Sequence, residues 1–232
     1  MTQIALKILI VVTSHNQLGN TGKITGYYLP EVAHPYVALA EKGFQIDIAS
    51  PKGGKAPLDP NSINAADKVS TSFYENKKTR GQLDNTLKLS DIDPSQYSAV
   101  LYAGGHGTMF DFRNNQTIDS LNRAIYEKGG VVSAVCHGPA ALLSTKLSNG
   151  KYLVAGKNVA GFSDAEEEAA GLTQVMPYLL EQELKKLGAK YSKADLWKSH
   201  VVVDGRLVTG QNPASAGEVG VKLAEVVSNL NK

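Results

Sequence analysis

The sequence predicts an α/β sandwich, a mostly parallel sheet with helices on both faces. Three observations carry this. Short β-branched apolar runs such as KILIVVTS read as strands buried on both sides. Segments with apolar residues at helical spacing follow them and stop at glycines. The strand–helix–strand rhythm breaks once and then resumes, which fits one body built from β-α-β units.

In chain order, Lys7 to Ser14 is the first strand. A Gly-rich polar loop covers Asn16 to Gly26, and YLPEVAHPYVALAEKGF is the first helix, with Val32, Tyr36, Leu39 and Ala40 on its apolar face and Gly43 as its stop. QIDIAS, Gln45 to Ser50, is the second strand. Pro51 to Gln96 departs from the rhythm. It reads as an insertion around 51–97 that covers one end of the sheet, anchored by Phe73, Tyr74, Leu83, Leu87 and Leu89, within a single domain spanning 1–232. Ser98 to Gly105 is a strand, Ile118 to Gly130 a helix, and Val131 to Cys136 a strand after which HGPAALLS begins another helix. YLLEQELKKLGAKY is an amphipathic helix running into a short strand. VVVDGRLVTG is a hairpin turning at Asp204–Gly205. The last helix opens with Asn212 as N-cap and Pro213 in the first turn.

Composition narrows the function classes. The 232 residues carry 24 basic and 22 acidic side chains, a formal charge of +2. That balance gives no reason to expect nucleic acid or an anionic membrane as the main partner. The apolar run Ile4 to Val12 is interrupted by Lys7 and lacks the flanks of a secretion signal. No apolar stretch approaches the roughly 20 residues of a membrane helix. Cys136, the single cysteine, cannot form an intramolecular disulfide. The expectation is a cytoplasmic protein.

Chemistry concentrates at AVCHG, Ala134 to Gly138. Strand, strained residue and helix form a nucleophile elbow, which needs small residues two positions before and after the nucleophile. Ala134 and Gly138 are those residues. The elbow would strain Cys136 by on the order of 1–3 kcal/mol and place its sulfur at the carboxyl end of the sheet, where open α/β folds bind ligands. A helix N-terminus beside the sulfur favours thiolate. At a free pKa of ~8.5 only about 3% of a thiol is ionised at pH 7, and lowering that pKa also lowers nucleophilicity. Positioning and oxyanion stabilisation would therefore matter more than ionisation.

Several side chains are candidate helpers. GGHGT, Gly104 to Thr108, ends another strand at the same sheet edge, and the N–H groups of Gly105 and His137 form a candidate oxyanion hole. His137 is the candidate base, and it needs an orienting acid. GFSDAEEEAAG offers Asp164, Glu166, Glu167 and Glu168, a run that spacing alone does not resolve and that commonly forms a solvated helix face. Glu31, after Pro30, reads either as a first-turn acid complementing the helix dipole or as a group that reaches the thiol. His15, His34 and His106 are possible metal ligands, but no zinc spacing marks them.

AVCHGPAAL, with GGHGTMFDF upstream, GFSDAEE downstream and LVTGQNPASA near the end, resembles the ThiJ/PfpI superfamily, which includes the parkinsonism-associated protein deglycase. Within it the chain is similar to the branch of heat-shock chaperones that are also glutathione-independent glyoxalases (glyoxalase III). The likeness runs from KILIVVTS to NPASA. It implies a flavodoxin-like sandwich, a homodimer, and conversion of methylglyoxal, a small 2-oxoaldehyde, to lactate without cofactor or metal. It also implies that Cys136 is the reactive cysteine, His137 its triad partner, Glu31 the glutamate bonded to the sulfur and Glu167 the triad acid. Glu166, Glu168 and Asp164 stay open as alternatives to Glu167.

Rival functions share the residues. A glutamine amidotransferase would pair the elbow cysteine with a late histidine followed two residues on by Glu, but Val201–Val202 follow His200. A peptidase or amidase of the same superfamily is an alternative. A stress chaperone or thiol redox sensor is another, since a low-pKa accessible thiol oxidises readily. Deglycation of methylglyoxal adducts would use the same hemithioacetal chemistry.

Overall fold

The computed structural model describes residues 6–230, so Ile4 and Ala5 of the first apolar run lie outside the described residues. The elements run β1 (Lys7–Val11), α1 (Leu29–Glu41), β2 (Gln45–Ser50), α2 (Lys68–Glu75), α3 (Lys77–Asp84), β3 (Leu87–Lys88), β4 (Ala99–Tyr102), α4 (Thr108–Asp111), α5 (Gln116–Glu127) and β5 (Val131–Val135). They continue with β6 (Asn158–Val159), α6 (Asp164–Ala169), α7 (Leu180–Lys186), β7 (Lys190–Tyr191), β8 (Val201–Asp204), β9 (Leu207–Gly210) and α8 (Ala216–Asn229).

Seven strands form one sheet in the order β3-β2-β1-β4-β5-β9-β8. Every pairing is parallel except β8 with β9. β6 and β7 form a separate parallel pair. Every residue of β4 and β5 is buried. Successive side chains of a strand point to opposite faces, so both faces of the sheet centre are covered. This is the doubly covered α/β sandwich the apolar runs predicted. α1 packs on α8, α8 also lies against β5 and β9, and α5 lies against β4 and β5.

The chain leaves β1 toward β2 on one side and later returns to β4 on the other. That reversal is the switch point where open α/β sheets place ligands. Three connections converge there: the start of α1, the loop after β4 and the turn after β5.

Residues 51–97 contribute α2, α3 and the edge strand β3, which pairs with β2. Phe73, Leu83 and Leu89 are buried anchors and Tyr74 is partly buried. Leu87 corrects the expectation: it is 43% exposed, because a two-residue edge strand turns it to solvent. Ala40 is likewise exposed, although Val32 and Leu39 of the same helix are in the core.

Three further expectations need correction. HGPAALLS does not start an α-helix; Gly138–Leu142 is a five-residue 3-10 turn. The hairpin loop is Gly205–Arg206, because Asp204 still pairs with Leu207. Asn212 does not cap the last helix with its side chain, which is buried and donates to Glu166 Oε1 and to the Lys198 carbonyl, each at 2.8 Å. A 3-10 turn over Pro213–Ser215 precedes α8 instead.

Candidate active site

Cys136 follows the last residue of β5 with φ +61°, a left-handed conformation that a side chain rarely adopts. Backbone bonds on both sides hold it there. Its N–H donates to the Gly210 carbonyl at 3.0 Å, and its carbonyl accepts from Phe162 N–H at 2.8 Å. The surroundings explain the small neighbours. A Cβ on Gly138 would stand 2.1 Å from the Tyr102 carbonyl oxygen. Ala134 is fully buried between Tyr102 of β4 and Thr209 of β9.

Cys136 Sγ lies 3.4 Å from His137 Nδ1. His137 Nε2 lies 2.6 Å from Glu167 Oε2, and both side chains are buried. Adjacent glutamates on one short helix point about 100° apart, which separates the roles of the acidic run. Glu166 forms a capping box with Ser163 and accepts from Trp197 N–H at 3.0 Å. Glu168 is exposed. Asp164 accepts from Gln182. Glu167 alone of the four meets His137. Burial opposes its charge, but His137 and His106 more than offset that and hold the carboxyl well below the usual carboxylate range.

Glu31 is completely buried at the start of α1. Its Oε2 accepts the Gly104 N–H at 2.8 Å, and the carboxyl also interacts with the Cys136 thiol. Glu31 is the acid in the first turn of α1, as the helix-dipole reading has it, and its buried carboxyl is also coupled to the thiol. Burial pushes Glu31 up to about 8. Burial also pushes the Cys136 thiol up, and the neighbouring Glu31 charge pushes it further. This corrects the expectation of a thiolate favoured by a helix terminus, since a buried sulfur beside a carboxyl outweighs one 3-10 turn. With Glu31 protonated that repulsion disappears.

The thiol opens on a cavity of about 170 Å³ lined by Tyr28, Gly105, His106, Cys136, His137, Phe162, Ala170, Trp197 and Pro213. Gly105, an expected oxyanion donor, is in this lining, while the preceding Gly104 N–H is engaged by Glu31. The His137 N–H is directed at the Cys136 sulfur.

The sequence offered His106 only as a possible metal ligand. Here its Nε2 sits 2.8 Å from Glu167 Oε1, and its ring centre is 4.3 Å from that of His137. His106, His137 and Glu167 are the described side chains whose donor atoms gather as metal ligands would. Their contacts of 2.6 and 2.8 Å are hydrogen-bond lengths that engage both carboxylate oxygens. His34 pairs with Asp67, and His15 stacks on Phe110. Sequence reasoning also missed Phe162, whose ring lies 4.2 Å from His137, and Trp197, which stands outside it at φ +62°. A histidine in the glycine-rich loop that follows the strand beside the elbow was the available signal for His106; nothing local marked Trp197.

A strained elbow cysteine on a flavodoxin-like sheet, backed by histidine and glutamate, defines a class of cysteine-centred α/β enzymes. The chain belongs to the DJ-1/PfpI family, whose pattern matches residues 24–226. It is 37% identical to glyoxalase 3 of Candida albicans, over 96% of this chain and 97% of that protein. It is 32% identical to the glutathione-independent glyoxalase HSP31 of Saccharomyces cerevisiae, over 96% and 98%. The crystal structure of the Francisella tularensis Rapid Encystment Protein 24 KDa superposes with a TM-score of 0.93 at 41% identity, covering 96% of this chain and 99% of that one.

Proposed function

We propose that this protein is a glutathione-independent glyoxalase that converts methylglyoxal to lactate through a covalent adduct on Cys136. The observation that carries the reading is the line Cys136 Sγ, His137, Glu167, opening on a cavity of about 170 Å³. That volume is below the roughly 300–1,000 Å³ of drug-sized sites and suits a three-carbon substrate better than a peptide. The names of the Candida and Saccharomyces relatives support the same reading.

The sulfur adds to the aldehyde carbon C1, and the thiol proton passes to the aldehyde oxygen, giving a hemithioacetal. The Gly105 N–H stabilises that oxygen while it carries charge, joined by the His137 N–H once the sulfur has spent its electron pair in the carbon–sulfur bond. His137, oriented by Glu167, removes the C1 proton, the electron pair moves into a C1–C2 double bond, and the C2 carbonyl oxygen takes up a proton, forming an enediol. The same histidine returns its proton to C2 while the C1 hydroxyl gives up its own, leaving a lactoyl thioester. Water then cleaves the carbon–sulfur bond, releases lactate and restores the thiol. Carbon C1 is oxidised and C2 reduced within one molecule, so no external oxidant enters.

The raised thiol fits poorly with a sensor that depends on a low pKa. The test is lactate formation from methylglyoxal by purified protein without glutathione, alongside Cys136→Ala. The reading expects lactate from the first and none above background from the second. Equal rates remove it.

A further inference from the structure

Glu167 bonds two histidines, one through each oxygen. A carboxylate can only accept, so both Nε2 atoms carry hydrogen. Each ring is therefore left with Nδ1 free for other work. His137 directs its Nδ1 at Cys136 Sγ, 3.4 Å away. His106 lines the same cavity as the thiol, and none of the hydrogen bonds among the described residues uses its Nδ1. Its side chain is 16% exposed, against 1% for His137, so it faces the space a substrate would fill. It also follows Gly105, which places it beside the candidate oxyanion donor.

The isomerisation moves two protons. One leaves C1 and arrives at C2. The other leaves the C1 hydroxyl and arrives at the C2 oxygen. A single imidazole engaged with carbon cannot also serve oxygen in the same step.

Resting on the glyoxalase reading, we infer that His106 is a second acid–base residue, which carries the oxygen proton while His137 carries the carbon proton. As His137 takes the C1 proton, the C1–H electron pair becomes the C1–C2 double bond. The C2 carbonyl pair moves to its oxygen, which takes a proton carried on Nδ1 of His106. The neutral His106 then accepts the proton of the C1 hydroxyl as that oxygen becomes the thioester carbonyl, and His137 protonates C2. Both rings end as they began, and the thioester contains every atom of the hemithioacetal.

The experiment compares wild type with His106→Gln, which keeps an N–H for Glu167 but has no proton to relay. Three readouts are taken: lactate formation, the rate of Cys136 alkylation by iodoacetamide, and the intact-mass yield of the methylglyoxal adduct on Cys136. The expected result is a kcat lower by about 100-fold or more, KM within about threefold, near-normal alkylation and an adduct that accumulates. A His106→Gln enzyme within about fivefold of wild type overturns the inference, because His106 would then only hold Glu167. If that variant does not fold, His106→Ala assayed with and without free imidazole asks the same question. Recovery of lactate formation supports the relay, and a folded, alkylatable variant without recovery overturns it. A wild-type protein that makes no lactate removes the glyoxalase reading itself, and the inference with it.

Discussion

Glu31 on α1 and Cys136 at the end of β5 meet as a buried pair in which each group resists losing its proton. Burial acts on both, and the Glu31 charge acts on the thiol as well. Glu31→Gln removes that charge but keeps an oxygen for the Gly104 N–H. The midpoint of the Cys136 alkylation rate against pH is expected to fall by about one unit or more. A midpoint that stays or rises contradicts the pairing.

The same carboxyl couples stability to pH. Its pKa is raised from 4.5 to about 8 on folding, so between those values the folded protein binds the extra proton. Its contribution is fully present below pH 4.5 and is lost as pH rises through about 8. Wild type is therefore expected to lose stability from pH 5 to 9 by up to a few kcal/mol more than Glu31→Gln, measured by urea unfolding at each pH. Parallel pH profiles would contradict this.

Gly138→Ala tests the elbow as packing. Its Cβ would lie 2.1 Å from the Tyr102 carbonyl, on a strand held by neighbours on both sides. The expected cost is about 3 kcal/mol in urea unfolding, with slower alkylation of a displaced Cys136. A variant as stable as wild type would mean that the turn has room to move.

Much of this was legible in the sequence, for identifiable reasons. β4 and β5 are fully buried and so are written almost wholly in apolar residues, with Ser133 the polar exception, and the elbow announces itself because close backbone contact admits only small residues at Ala134 and Gly138. The acid was not legible from spacing, because Glu166 and Glu167 are chemically equal neighbours and only the direction of α6 separates capping from contact with His137. The direction of the thiol shift depends on Glu31 arriving from a distant segment. His106 joins the site through strand adjacency, a tertiary fact. Trp197 sits in an irregular segment whose path no periodicity reports.

Trp197 sets the outer wall of the cavity. It is 48% exposed, with its ring 5.8 Å from Phe162. Trp197→Ala is expected to raise kcat/KM for phenylglyoxal relative to methylglyoxal by about tenfold, measured with both substrates in one assay. An unchanged ratio would place the size limit elsewhere.

The central claim is that sulfur at position 136, rather than the shape of the pocket, performs the chemistry. Cys136→Ser tests it most directly, since it exchanges sulfur for oxygen at the same strained position. Lactate formation from methylglyoxal is measured for both proteins under identical conditions. The account predicts a loss of about 1,000-fold or more, because a serine hydroxyl is a far weaker nucleophile than a thiol at neutral pH. Retention of activity within about tenfold of wild type would contradict it.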